Sequence, residues 1–271
     1  MVKLMKVETL LGSIGNEFGN EAVEELLRRT RGRVDKALQH VRRPQAAVGF
    51  VKSPLGDLLV AMSADGVLLN CYLQGAGDLK GTIQKLRLAF DPVEDQRTVR
   101  EVGEEIGRYL AGDAKALRQK VDLSLVGTSF QKKVLDKLQS VPRGALISYQ
   151  ALGAALQAAN SARAVGNALH DNPIPIYVPC HRVISSDGRI GGYAGGAARK
   201  LQLLRSEGFE LNTAQARIPD SVVWGHKGSK IYCRRDCRTA SHVDRAQILF
   251  FADPRQAERV GMRPCKICRP G

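Results

Sequence analysis

IPIYVPCHRVISSDGRIGGYAGG, residues 174–196, runs from an apolar segment through a cysteine–histidine pair into a glycine-rich loop. Pro179 stiffens the approach to Cys180, and His181 follows directly. A thiol attacks as its thiolate, and a nearby base produces one. A Cys-His dipeptide alone reads as a buried thiol beside a surface imidazole, because adjacent residues need not have adjacent side chains. The surroundings shift that reading. GGYAGG, residues 191–196, offers backbone N–H groups to an oxygen atom with little side-chain obstruction.

Working outward, FQKKVLDKLQSV reads as a helix ended by Pro142 and Gly144. SYQALGAALQAA, with Ser148 as N-cap, and NSARAVGNALHD, capped by Asn160 or Ser161, read as a helix-turn-helix. The second of these helices is thin, with Ala162, Ala164, Gly166 and Ala168 around one large cation, Arg163. It has little with which to read base edges. It can approach a backbone closely, even within a minor groove ~6 Å wide. Small-residue packing against a neighbouring helix is the competing reading. ARKLQLLRSEGF closes the region as a helix ending at Gly208.

Before this region the period changes. AVGFVKSPLGDLLVAMSADGVLLNCYL alternates apolar and polar residues and is cut at SPLG and SADG, which predicts a meander of two or three antiparallel strands. Cys71 falls in the third strand as a packed residue. TVREVGEEIGRYLAGD follows as an amphipathic helix stopped by Gly112, giving a small α/β domain over 46–125. Residues 1–45 carry 9 basic and 6 acidic residues and read as a solvated helical extension.

The 271 residues include 41 Lys+Arg against 27 Asp+Glu, a net charge of +14 that points to a polyanionic partner. Residues 224–271 hold 11 Lys+Arg and 4 Asp+Glu, so half of that excess lies at the C-terminal end. No stretch approaches ~20 apolar residues, which excludes a membrane helix. The N-terminal MVKLMKVETLLGSIGNEFGNE lacks the apolar core of a signal peptide. A cytoplasmic monomer is expected, nucleoid-associated if bacterial. Cys233-x3-Cys237, then 27 residues, then Cys265-x2-Cys268 supplies four soft ligands in two chelating pairs, the pattern of a tetrahedral structural zinc. A module of ~48 residues needs such a staple to fold. No organic cofactor is expected.

GTSFQKKVL, VPRGALISYQAL, ARAVGNAL, NPIPIYVPCHRVI and SDGRIGGYAGGAARKLQLLRSEG, in this order and spacing, resemble the O6-alkylguanine-DNA alkyltransferases, also called methylated-DNA–protein-cysteine methyltransferases. The resemblance covers about residues 47–210. It implies a ribonuclease-H-like α/β domain (46–125) and a helix-turn-helix DNA-binding domain that carries the catalytic cysteine (126–211). Cys180 is then the alkyl acceptor, and His181 the base that activates it through a water. Glu207 orients the histidine, and Asn172 organises the active-site turn. Tyr149 helps rotate the phosphate of the flipped nucleotide, and Arg163 fills the gap left by the extruded base. Ala162, Ala164 and Gly166 lie against DNA. Val183, Tyr193, Ala194, Gly195 and Leu169 line the guanine pocket, with the Cys180 and Val183 carbonyls as acceptors for the base's amino group. The implied partner is double-stranded DNA containing O6-alkylguanine, with O4-alkylthymine as a further substrate. Transfer is irreversible and each molecule acts once. Leu135 stands where many relatives carry Trp, and Ala194 where some carry Ser.

After a linker (212–223), IYCRRDC with ILFFADPRQAERVGMRPCKICRP resembles the zinc-binding domain of the adaptive-response protein Ada, which in Ada is N-terminal. That implies DNA binding by residues 224–271, and makes Cys233 the candidate acceptor of methyl from phosphotriesters. CRRDC in place of a CRPSC-like sequence brings in Asp236. Two other readings compete. One is a non-repairing protein that flags alkylated bases, although such relatives lack the acceptor cysteine. The other is a thiol hydrolase built on Cys180, His181 and Glu207.

Overall fold

The computed structural model describes residues 25, 28–30, 43–73, 79–158, 160–211, 217–219, 221–238 and 243–270. The chain divides into two units, residues 1–44 and 45–271. In the first unit, Arg28 and Arg29 each pair with Glu25 at 2.8 Å. The expected helical extension otherwise lies outside the described residues.

The second unit is mixed α/β. Its first sheet holds β1 (Gln45–Val51), β2 (Leu58–Ser63), β3 (Gly66–Tyr72) and β4 (Asp91–Glu94) in the order β3-β2-β1-β4. The first three strands form the expected antiparallel meander. β4, which follows α1 (Leu79–Ala89), adds parallel to β1. α2 (Gln96–Leu110) is capped by Asp95, which accepts from Thr98 N at 3.1 Å. It buries Val99, Val102, Ile106 and Tyr109, a helical spacing that faces one stripe onto the sheet.

The remaining helices are α3 (Ser129–Gln139), α4 (Tyr149–Ala154), α5 (Ala162–His170) and α6 (Ala197–Ser206). Ser148 caps α4, accepting from Ala151 N at 3.0 Å. Ser161 precedes α5 but turns its hydroxyl back to the Ala158 carbonyl at 2.6 Å.

A second sheet has six strands. β5 (Ala145–Ser148) and the two-residue β6 (Val183–Ile184) flank the segment that holds Cys180. β7 (Val223–His226), β8 (Ile231–Cys233), β9 (Ile248–Phe251) and β10 (Arg263–Pro264) come from the C-terminal residues, with α7 (Pro254–Arg259) between β9 and β10. The order is β10-β8-β7-β9-β5-β6. The C-terminal strands therefore extend the sheet that underlies the Cys180 turn. Phe251, Leu249, Tyr232 and Met262 share one buried cluster with Ile147, Val183 and Cys180. No helix among the described residues is long and apolar enough to cross a membrane.

Candidate active site

Cys180 opens a single 3₁₀ turn, Cys180–Arg182, that leads directly into β6. The preceding apolar segment is strapped down by the first sheet's domain. Asn70 N donates to the Pro173 carbonyl at 3.0 Å, and Asn70 Nδ2 to that of Pro175 at 2.5 Å. Tyr177 donates its hydroxyl to Glu105 at 2.6 Å. Ile176 is held at φ +78°, a conformation that a β-branched residue adopts only when its surroundings impose it.

Around the thiol, Asn172 Nδ2 donates to Cys180 Sγ at 3.2 Å and to the Val178 carbonyl at 3.1 Å, while its Oδ1 accepts from Ile174 N at 3.0 Å. Burial pushes the Cys180 thiol up, opposed by this hydrogen bond and by the Lys200 ammonium. Lys200 is fully buried and donates to the Val183 carbonyl at 2.7 Å and the Ile190 carbonyl at 2.5 Å. Burial lowers it to about 8, against the pull of the Cys180 thiolate.

His181 Nε2 lies 2.6 Å from Glu207 Oε1. Burial raises the Glu207 carboxyl, but Arg182, His181 and the hydrogen bonds around it prevail and hold it at about 2. An ionised carboxylate only accepts, so Nε2 carries the proton and Nδ1 is left as the acceptor. Nδ1 is buried with no hydrogen-bond partner among the described residues. Burial keeps the imidazole below its ordinary range, with Glu207 pulling the other way, so the resting ring is neutral. Arg182 Nε donates to both Glu207 oxygens at 3.0 Å, its Nη2 donates to the Tyr109 hydroxyl at 3.0 Å, and Tyr109 donates to Glu207. Gly144 N adds a further donor to Glu207 Oε2 at 3.0 Å.

A cleft of about 710 Å³ reaches Cys180. Leu169, Asn172, Tyr193, Ala194 and Gly195 line it. Val183 is instead fully buried in the core, outside the lining. Its carbonyl already accepts from Lys200, and the Cys180 carbonyl accepts from Val183 N. Tyr72 and Cys71 line the cleft from β3. Cys71 is half-buried, and its thiol is raised to about 11 by burial, against a smaller lowering by Lys85. Tyr72 shares a 3.1 Å hydroxyl contact with Tyr193, and Arg199 stacks 4.4 Å above its ring. Tyr149 lies between Gly166 and Gly191. Arg163 and Ala164 are exposed on α5, with Ala162 and Gly166 half-buried beside them.

The sulfurs of Cys233, Cys237, Cys265 and Cys268 all lie within 4.8 Å of one another, and none is in a disulfide. Four thiolates around Zn²⁺ at ~2.3 Å fit that spacing. Trp224 packs on the cluster and its Nε1 donates to the Arg234 carbonyl at 2.9 Å. Ile267 N donates to Cys265 Sγ at 3.4 Å. Asp236 sits 3.4 Å from Arg234 on the exposed side of this turn.

Residues 129–209 match the 6-O-methylguanine DNA methyltransferase, DNA binding domain, and residues 210–271 match the metal binding domain of Ada. A methylated-DNA–protein-cysteine methyltransferase of Methanosarcina acetivorans is 34% identical over 157 residues, which are 58% of this chain and 95% of that protein. The chain belongs to the methylated-DNA–protein-cysteine methyltransferase family. Another methyltransferase of the family, from Mycolicibacterium paratuberculosis, is 38% identical over 157 residues, 58% of this chain and 89% of its own. The crystal structure of the Mycobacterium tuberculosis O6-methylguanine methyltransferase superposes with a TM-score of 0.51 at 30% identity, covering 65% of this chain and 96% of that one.

Sequence reasoning missed four residues of this methyltransferase site: Arg182, Tyr109, Lys200 and Tyr72. Only Arg182 carried a local signal, its place beside His181.

Proposed function

We propose that this methyltransferase removes alkyl groups from the O6 position of guanine in double-stranded DNA and keeps them on Cys180. The observations that carry this are a buried Cys180 thiol that accepts from Asn172 and, next in the chain, a His181 whose Nε2 is held by an ionised Glu207 and whose Nδ1 is left as acceptor. The damaged nucleotide leaves the stack, at a cost of a few kcal/mol. Its base enters the cleft between Tyr193 and Leu169. His181 Nδ1 takes the Cys180 proton through a bridging water, and the resulting imidazolium is stabilised by Glu207. Sγ attacks the alkyl carbon and forms a thioether, the C–O bond breaks with its electrons left on guanine, and one proton, equal to the one taken from Cys180, neutralises the leaving base. No residue near Cys180 would hydrolyse a thioether, so each molecule acts once.

In this reading β1–β4 with α1 and α2 form the ribonuclease-H-like domain, and α4 with α5 form the helix-turn-helix. Arg163, exposed at the start of α5, fills the gap left by the flipped base, with Tyr149 at the phosphate. The four cysteines hold a zinc ion that folds the C-terminal residues into a basic DNA-holding element. Cys233 is only 2% exposed and packs against Trp224, which favours this holding role over methyl acceptance there. The domain division at 46–125, 126–211, 212–223 and 224–271 belongs to this proposal.

The test is intact mass after incubation with duplex containing O6-methylguanine, followed by peptide mapping. One methyl on the Cys180 peptide, with repair stopping at one equivalent, is expected. Continued turnover would point to the hydrolase reading, and binding without mass gain to the flagging one.

A further inference from the structure

Glu207 stands at the C-terminal end of α6, where the last carbonyls of a helix lack intrahelical donors. Its own carbonyl is satisfied from the zinc module, where Gln256 Nε2 donates to it at 2.8 Å. The same side chain fills a notch made by two glycines. A Cβ on Gly144 would fall 1.2 Å from Gln256 Oε1, and one on Gly208 would fall 2.7 Å from Nε2. Both glycines have positive φ, +75° and +94°. Gly144 N in turn donates to Glu207 Oε2. Gln256 thus touches Glu207 at its main chain and, through Gly144, holds a donor to its carboxylate.

Gln256 is itself fixed. Asp253 caps α7 and accepts from Gln256 N at 2.8 Å. β9, just ahead of α7, pairs antiparallel with β5 through Ala145↔Phe251 and Leu146↔Phe250. The other edge of β5 pairs with β6, which begins directly after Arg182. The module and the Cys180 turn therefore flank one strand.

We infer that Gln256 is a positioning residue for Glu207, through which the four-cysteine module sets how readily His181 takes the proton of Cys180. This rests on the reading of Cys180 as acceptor. Glu207 faces His181, Arg182 and Tyr109, and its direction relative to His181 decides how well an imidazolium is stabilised. If Gln256 no longer holds Glu207, less of the thiolate–imidazolium pair forms, and reaction comes to depend on deprotonation by solvent.

The experiment uses the full-length, zinc-loaded protein and free O6-benzylguanine, which needs no base flipping. Wild type alkylated once at Cys180 establishes the underlying reading independently of Gln256. Gln256→Met keeps the volume in the notch and removes the donor, and Gln256→Ala removes both. The expected result is a rate lowered roughly three- to tenfold near neutral pH, the change expected of one lost hydrogen bond. Its rise with pH should move to the alkaline side, with zinc content and melting temperature kept. Hydrogen exchange of the amides in residues 144–148 should quicken in parallel. Wild-type rates and pH profile in folded variants would overturn the inference. So would a loss equal at every pH that accompanies lost zinc, because that outcome makes Gln256 scaffold alone.

Discussion

Two cysteine centres lie in one molecule and reach the thiolate by opposite routes. Cys180 is a single buried sulfur whose burial favours the neutral thiol, and the Asn172 hydrogen bond and the Lys200 charge work against that burial. The other four sulfurs lie together within 4.8 Å, a spacing in which no side chain needs to act as base because a bound cation stabilises all four anions. The difference teaches that burial alone does not predict reactivity. A lone buried thiol needs polar neighbours that oppose its burial, whereas four thiols gathered at one point are set to share a cation.

The harshest way to break the comparison is Cys180→Ala. Transfer from duplex DNA should vanish, below one part in about 10³ of wild type, while DNA affinity stays within about twofold. Peptide mapping and a binding titration check the two halves. Residual transfer to another cysteine would erase the distinction between the centres.

Zinc removal by chelator comes next. Structural zinc contributes roughly 10–16 kcal/mol to small modules. Four thiols should become reactive to a thiol reagent as metal is lost, and the Trp224 fluorescence should change with them.

Glu207→Gln probes the relay. It leaves the buried Arg182 without its carboxylate, which typically costs about 3–5 kcal/mol. Transfer should fall by about 10²-fold. In wild type the Glu207 carboxyl is depressed from 4.5 to about 2. Its stabilisation is therefore complete above about pH 4.5 and is lost as pH falls toward 2, on the order of 3 kcal/mol in all. Urea denaturation across that window should show the variant flatter than wild type.

Arg163→Ala should slow duplex repair about tenfold or more and leave reaction with free O6-benzylguanine near wild type. The smallest effect is expected from Tyr72→Phe. It removes one hydroxyl contact to Tyr193, so O6-benzylguanine reactivity should change about two- to threefold, measured as a second-order rate.

Much of this was legible in the sequence. Cys180 and His181 are adjacent, Glu207 follows a helix in a recognisable run, and the four-cysteine spacing brings its ligands together as read. α2 shows a plain period of 3.6, and the meander is marked by its turns, since β2 and β3 are each buried over five consecutive residues where alternation was expected. What stayed hidden is long-range and polar. Tyr109 meets Glu207 across 98 residues, and Tyr177 meets Glu105 across 72, with no local pattern to announce either. The joined sheet was hidden for another reason. β5 reads ALIS and β9 reads ILFF, four-residue strands too short for alternation to show, and β5 is buried along its whole length. Gln256, on a six-residue helix, looks like any solvated glutamine.

The six-stranded sheet ends at both sides in strands only two residues long, Val183–Ile184 and Arg263–Pro264. Proline has no N–H, so the outer strand cannot offer a continuous ladder to another chain. β9 pairs with β5 through two residues, and β5 with β6 through two more, so each inner strand is partly covered. A protein consumed once per lesion must be stocked in proportion to damage, and crowding favours edge-to-edge aggregation. The joined sheet thus offers only two-residue outer strands to a neighbouring copy, whether fresh or spent.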